Sequence, residues 1–332
     1  MPRDYRGVSE ARVIEGADIL LRTCGRLRPG ERIAIVCDTD TRLLGDILAE
    51  RAALITKAVH VVEVAPFAMH GQEPPPEVAE QMRLADLCLG ITSKSMVHTT
   101  ARKESAARGT RYLSLPDFSL ELMADEALRV NFEARGVLGA RVADAFTRGN
   151  EVRVTTPRGT DVTMRIDGRT ANSTPGYVTS PGAMGSPPDI ESHVAPLETS
   201  AHGRIVVDGS IPFPTIGLLR DPLRLTIEAG RVTDIQGDDP RMVAELKKVF
   251  EQTGSPRAYV LAECGVGLND LAKLTGVMLT DEGAAGTVHF GFGSNSTIGG
   301  LNEIPFHLDV VLREPTLTVD GTVVIDRGDL RV

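Results

Sequence analysis

Within the apolar run Phe306-His307-Leu308-Asp309-Val310, a histidine and an aspartate alternate with hydrophobic residues. In a strand successive side chains reverse, so His307 and Asp309 face the same side. An imidazole and a carboxylate placed together among apolar neighbours either bond each other or share a divalent cation. Two further runs supply partners for the second reading. Gly286 to Gly293 reads as a strand carrying His289, followed by glycines that allow close backbone approach to a ligand. Ala262 to Asn269 sets Glu263 after the apolar Tyr259-Val260-Leu261, where an ionised glutamate is costly unless something pairs with it. Imidazole and carboxylate drawn from separate strands suit zinc, manganese, iron or cobalt. His307 and Asp309 are the surest ligands of the set.

These strands belong to a C-terminal half whose texture differs from what precedes it. Residues 1–150 alternate strands and helices: a helix from Glu10 to about Leu27, then strand runs at Arg32 to Cys37, Val59 to Val64, Leu87 to Thr92 and Arg111 to Leu115. Asp38-Thr39-Asp40 reads as the cap of the helix after the first strand. Short apolar strands alternating with helices predict an α/β, doubly wound, Rossmann-like parallel sheet. Its first strand-to-helix turn has no G-x-G-x-x-G and no glycine–lysine phosphate loop, which disfavours a nucleotide cofactor. Residues 151–332 read as an α+β, mostly antiparallel metal-binding domain of hairpins, with one helix from Pro240 to Gln252. The Gly/Pro/Ser-rich stretch 173–188 is long enough for a site loop.

A chain of 332 residues with 42% hydrophobic content suits two buried cores. A net charge of -9 and an aromatic share of 4% argue against nucleic acid and against an anionic membrane surface. The expected partner is a small molecule or a short peptide, with the chain in a homo-oligomer. Cys24, Cys37, Cys88 and Cys264 form no CxxC pair, and the polar N-terminus has no signal-peptide core. Both fit a cytoplasmic address.

The run Ala262-Glu263-Cys264-Gly265-Val266-Gly267-Leu268-Asn269, then Gly286-Thr287-Val288-His289-Phe290-Gly291-Phe292-Gly293, Gly299-Gly300-Leu301-Asn302 and His307-Leu308-Asp309 resembles the aminopeptidase T family of two-metal peptidases. His98-Thr99-Thr100-Ala101-Arg102, Gly109-Thr110-Arg111 and Pro188-Asp189-Ile190-Glu191-Ser192 extend that resemblance. It implies that Glu191, Glu263, His289, His307 and Asp309 are metal ligands. The sequence is also similar to the 2,5-dihydroxypyridine 5,6-dioxygenases, iron(II) ring-cleaving enzymes of the same superfamily. That similarity rests on Ser294-Asn295-Ser296-Thr297-Ile298-Gly299-Gly300 leading to Pro305-Phe306-His307-Leu308-Asp309. It implies a triad of His307, Asp309 and His289, and gives His98 a substrate proton to handle. The dioxygenases carry histidine where this chain has Glu263. The peptidases carry a catalytic tyrosine soon after the strand histidine, and residues 294–297 hold none.

With Glu263 retained, the leading expectation is a metallohydrolase that cleaves an amide-type C–N bond. One or two ions of zinc, cobalt or manganese would activate the water. Glu263 or His98 would pass its proton to the leaving nitrogen, and Arg102 would hold a substrate carboxylate. Surface roles in solvent are the alternative for His98 and Arg102. Glu191 and the 173–188 stretch are expected to close over the metal. The alternative activity is iron(II)-dependent ring cleavage of a hydroxylated N-heterocycle, and a third reading is a non-catalytic metal-stabilised binding protein.

Overall fold

Ile33–Asp38 (β1), Val59–Val64 (β2), Leu87–Ile91 (β3) and Arg111–Ser114 (β4) form a parallel sheet in the order β2-β1-β3-β4. Every residue of β1, β3 and β4 is buried, as expected where helices cover both faces. The computed structural model describes residue 5 and residues 7–332. Apart from Tyr5, the N-terminal run read for a signal peptide lies outside them. The first helix is α-helical over Glu10–Asp18 and π-helical over Ile19–Cys24. Asp38 does not cap the next helix, Arg42–Ala53. Its carboxylate instead accepts the N–H groups of Asp40 and Thr41, each at 3.1 Å, and of Ser93 at 2.6 Å. Asp38 thus ties the carboxyl ends of β1 and β3 together. Among the described residues no helix is long and apolar enough to cross a membrane.

Backbone contacts divide the chain into two units, one reaching Phe132 and regaining Pro175–Pro187, the other Glu133–Thr174 with Pro188–Val332. The division falls earlier than residue 150 because helix Phe132–Arg148 packs with the second unit. A Cβ on Gly139 would come within 2.8 Å of Ser173 Oγ and 3.1 Å of Ser192 Oγ, so the helix rests on the second unit's strands. The segment read as a site loop is also different. Asn172–Thr174 pairs with the strand Glu191–Val194, whereas Met184–Gly185 extends the first unit's sheet beside β4. Val178, fully buried, donates its N–H to Cys24 O at 2.8 Å. Apolar burial and backbone pairing hold Pro175–Pro187 in the first unit's framework.

The second unit contains an eight-stranded and a seven-stranded sheet. Four neighbouring antiparallel strands of the latter matter most: Glu191–Val194, Leu261–Gly267, Thr287–Gly293 and His307–Arg313. Alternation gives the last three an apolar face. Cys264, Val266, Phe290, Phe292, Val310 and Leu312 are all fully buried. Phe250 of helix Pro240–Glu251 stacks edge-on against Phe292 at 5.6 Å and lies 6.0 Å from Phe306. Full burial of side chains of this size stabilises by about 1.5–3 kcal/mol each. With that face fixed, the intervening residues are committed to the other.

Candidate metal centre

On the other face stand Glu191, His193, Glu263, His289, His307 and Asp309. Each lies beside a glycine in the strand register: Glu191 beside Gly267, His193 and His289 beside Gly265, Glu263 and Asp309 beside Gly291, and His307 beside Gly293. A Cβ on Gly265 would strike the His289 ring, and one on Gly291 would lie 2.7 Å from His307 Nε2. The empty lateral places are what allow large ligand-type side chains to converge on a sheet surface.

They gather into two groups that share Glu263, and within each group the ligand atoms lie within 4.8 Å of one another: Glu191, His193 and Glu263, and Glu263, His307 and Asp309. Glu263 turns one oxygen to each group. Its Oε1 is 3.2 Å from His193 Nδ1, and its Oε2 is 3.3 Å from His307 Nε2. His307 Nε2 is also 3.2 Å from Asp309 Oδ1, as the alternating spacing requires. His289 belongs with Glu191, its Nε2 standing 3.0 Å from Glu191 Oε2 and 3.8 Å from Glu263 Oε1. Among the described residues, Glu263 is grouped with His307 and Asp309, and His289 stands with Glu191.

Backbone and neighbouring acids orient these groups. His307 Nδ1–H donates to Ser294 O at 3.0 Å, which aims Nε2 at Glu263 and Asp309. The Glu282 carboxyl hydrogen-bonds Asp309; burial first, and then the neighbouring carboxylates, push Glu282 well above the ordinary range. Asp189 is pushed up in the same way. Burial alone would raise Glu191 and Glu263 too, but the histidines outweigh it and hold both below the usual carboxylate range.

The donor set fits a divalent cation. Among the described residues, no lysine or arginine pairs with Asp189, Glu191, Glu263, Glu282 or Asp309; histidines pair with Glu191, Glu263 and Asp309, and Glu282 is surrounded by carboxylates. Glu191 Oε2 is buried without an aligned hydrogen bond, although His289 Nε2 is close. Such an oxygen is expensive unless a cation takes its lone pair. The two groups differ in access: the side chain of His307 is 36% exposed, that of His289 1%.

The family pattern of 2,5-dihydroxypyridine 5,6-dioxygenase matches residues 18–332. This chain belongs to that family. The 2,5-dihydroxypyridine 5,6-dioxygenase of Pseudomonas putida KT2440 is 27% identical over 264 residues, 76% of this chain and 73% of the relative. The solved structure of 2,5-dihydroxypyridine dioxygenase from Pseudomonas putida KT2440 matches with a TM-score of 0.83 at 23% identity, over 98% of both chains. AmpT from Thermus thermophilus shares the fold, with a TM-score of 0.69 at 16% identity over 97% of this chain and 100% of that one.

In this dioxygenase-family chain, the five residues that the aminopeptidase resemblance named converge on one sheet face, and His193 joins them. His193 is the residue missed. Its signal was present: Glu191-Ser192-His193 has the same alternation as His307-Leu308-Asp309. His98 and Arg102 belong to the first unit. His98 is exposed in the turn before helix Thr100–Ala107. Arg102 is half-buried, and its Nε donates to Val97 O at 2.8 Å.

Proposed function

We propose that this protein is an iron(II)-dependent dioxygenase that opens a hydroxylated N-heterocycle of the dihydroxypyridine class. Family membership over residues 18–332 carries the reading and reverses the order expected from sequence, where hydrolysis came first. The group Glu263, His307 and Asp309 would hold the cation, and His307 is its solvent-exposed member. A bound iron(II) supplies a meeting point at which oxygen and the substrate hydroxyl exchange electrons. Around it the protein's own groups have plain tasks. Ser294 O fixes the His307 ring, Glu282 holds Asp309 by its O–H, and the buried phenylalanines behind the sheet keep the strands in place. The reaction balances without a reductant: one ring C–C bond breaks beside the hydroxyl-bearing carbon, and each of its carbons takes one atom of O2. The proposal includes a cytoplasmic address and a homo-oligomeric state.

The test is reconstitution of metal-free protein with iron(II), zinc, cobalt or manganese, followed by an oxygen electrode trace with 2,5-dihydroxypyridine. One O2 consumed per ring opened, with iron(II) alone, is the expected result. Metal-dependent release of an amine without oxygen uptake, supported by zinc, cobalt or manganese, overturns it. That hydrolase is the second reading, favoured by one observation: Glu263 offers a separate oxygen to each ligand group, the disposition of a carboxylate between two cations.

A further inference from the structure

Glu198 follows the Glu191–Val194 strand, yet its carboxylate reaches the loop that leads to His307. One oxygen accepts the Leu301 N–H at 2.6 Å and the Asn295 side-chain amide at 3.2 Å. The other accepts Arg169 Nη2 at 2.7 Å, and Arg169 Nη1 donates to Gly299 O. Asn295 Oδ1 takes the Asn302 N–H at 2.8 Å, and Asn302 Nδ2 donates to Gly293 O at 2.6 Å. Closed in this way, the loop presents Ser294 O to His307 Nδ1.

Apolar burial does little to hold residues 294–302. The turn Ser296–Ile298 buries nothing, and Leu301 is 83% exposed. Polar bonds must do it. Arg169 and Glu198 keep only 10% and 21% of their side chains in solvent, where an ion pair is sustained only if its remaining groups are bonded. Leu301, Asn295 and Gly299 bond the carboxylate and Arg169 Nη1, while Arg169 Nε is left without a partner among the described residues.

We propose that Glu198 is a positioning residue: through residues 294–302 it sets the ring of His307, and so the open ligand group. The inference rests on His307 as a metal ligand and not on which reaction follows. It also joins the two groups mechanically, since Glu198 extends from the strand that carries Glu191 and His193.

The test is cobalt(II) titration of metal-free wild type, Glu198→Ala and Glu198→Gln, read by visible absorption, with amide exchange of residues 294–302 and a thermal melt of each variant. Glu198→Ala should bind cobalt about 10- to 100-fold more weakly, the usual loss when an outer partner of a ligand is removed, with an altered absorption band. Glu198→Gln keeps the acceptor for Leu301 but loses the ion pair, and should fall between the two. It also carries the test if the alanine variant does not fold. Faster exchange in the loop with unchanged cobalt affinity and spectrum in the variants overturns the inference, because the loop is then structural only. Failure of the wild type to bind cobalt removes the ligand assignment itself, a separate outcome.

Discussion

Imidazoles and carboxylates trade protons for cations, so the titration of this site predicts its metal chemistry. Burial disfavours charge on His193, but Glu263 and Glu191 outweigh it and raise its pKa to about 9; His289 is raised for the same reasons. A cation must displace those protons. Metal affinity should therefore fall as pH drops from 9 toward 6, with proton release on binding, which calorimetry in buffers of different ionisation enthalpy measures. In metal-free protein the raised pKa gives the stability sign. The contribution of His193 is full below the ordinary imidazole value of about 6.5 and is lost as pH rises through about 9. Denaturant midpoints of metal-free protein that rise across that interval would contradict the assignment. His307→Ala and Asp309→Ala should each abolish bound metal at the open group while circular dichroism stays native. Unchanged metal content in both would remove them as ligands.

Strands explain both the success and the failures of sequence reading. The parallel strands were legible as apolar runs, and His307-x-Asp309 as an alternation inside one. Glu191-Ser192-His193 alternates equally, but it sits between Pro188 and Pro196 on a four-residue strand with no long apolar run to announce it. Helix Phe132–Arg148 includes Gly136 and Gly139, which weaken its helical signature. Glu282 could not be found from local pattern, since Asp309, Glu191 and Asp189 around it are all distant in sequence. Ligand places beside glycines give a prediction specific to these strands. Gly265→Ala would push a methyl into the His289 ring, and the overpacking should cost roughly 1–3 kcal/mol. Bound metal should be lost with it. Retention of full metal content with unchanged stability would show that the ring has room to move.

Over the whole chain, the ligand groups belong to one of the two contact units. No pattern in the sequence revealed that Pro175–Pro187 returns to the first unit, because a Gly/Pro-rich segment carries no period to assign. Its place is decided by partners such as β4 and Cys24, distant in sequence. Metal should therefore stabilise one unit selectively. At a free concentration 100 times Kd it adds about 2.7 kcal/mol to whatever unfolds with the site. Calorimetry should show a chelator lowering the transition of the second unit and leaving that of the first in place. Equal shifts of a single transition would mean that the units unfold together.

The row of glycines has a consequence for descent. In a closely filled sheet, exchanging one ligand for another of different shape would displace its neighbours, and a lineage would have to repair the core before it could explore new chemistry. Here the place beside each ligand carries no side chain of its own and is filled in part by the ligand, as the His289 ring fills that of Gly265, so a replacement of similar reach can occupy the room its predecessor leaves. Single replacements of one ligand by another of similar reach should thus leave a protein that still folds, which is the condition for such exploration.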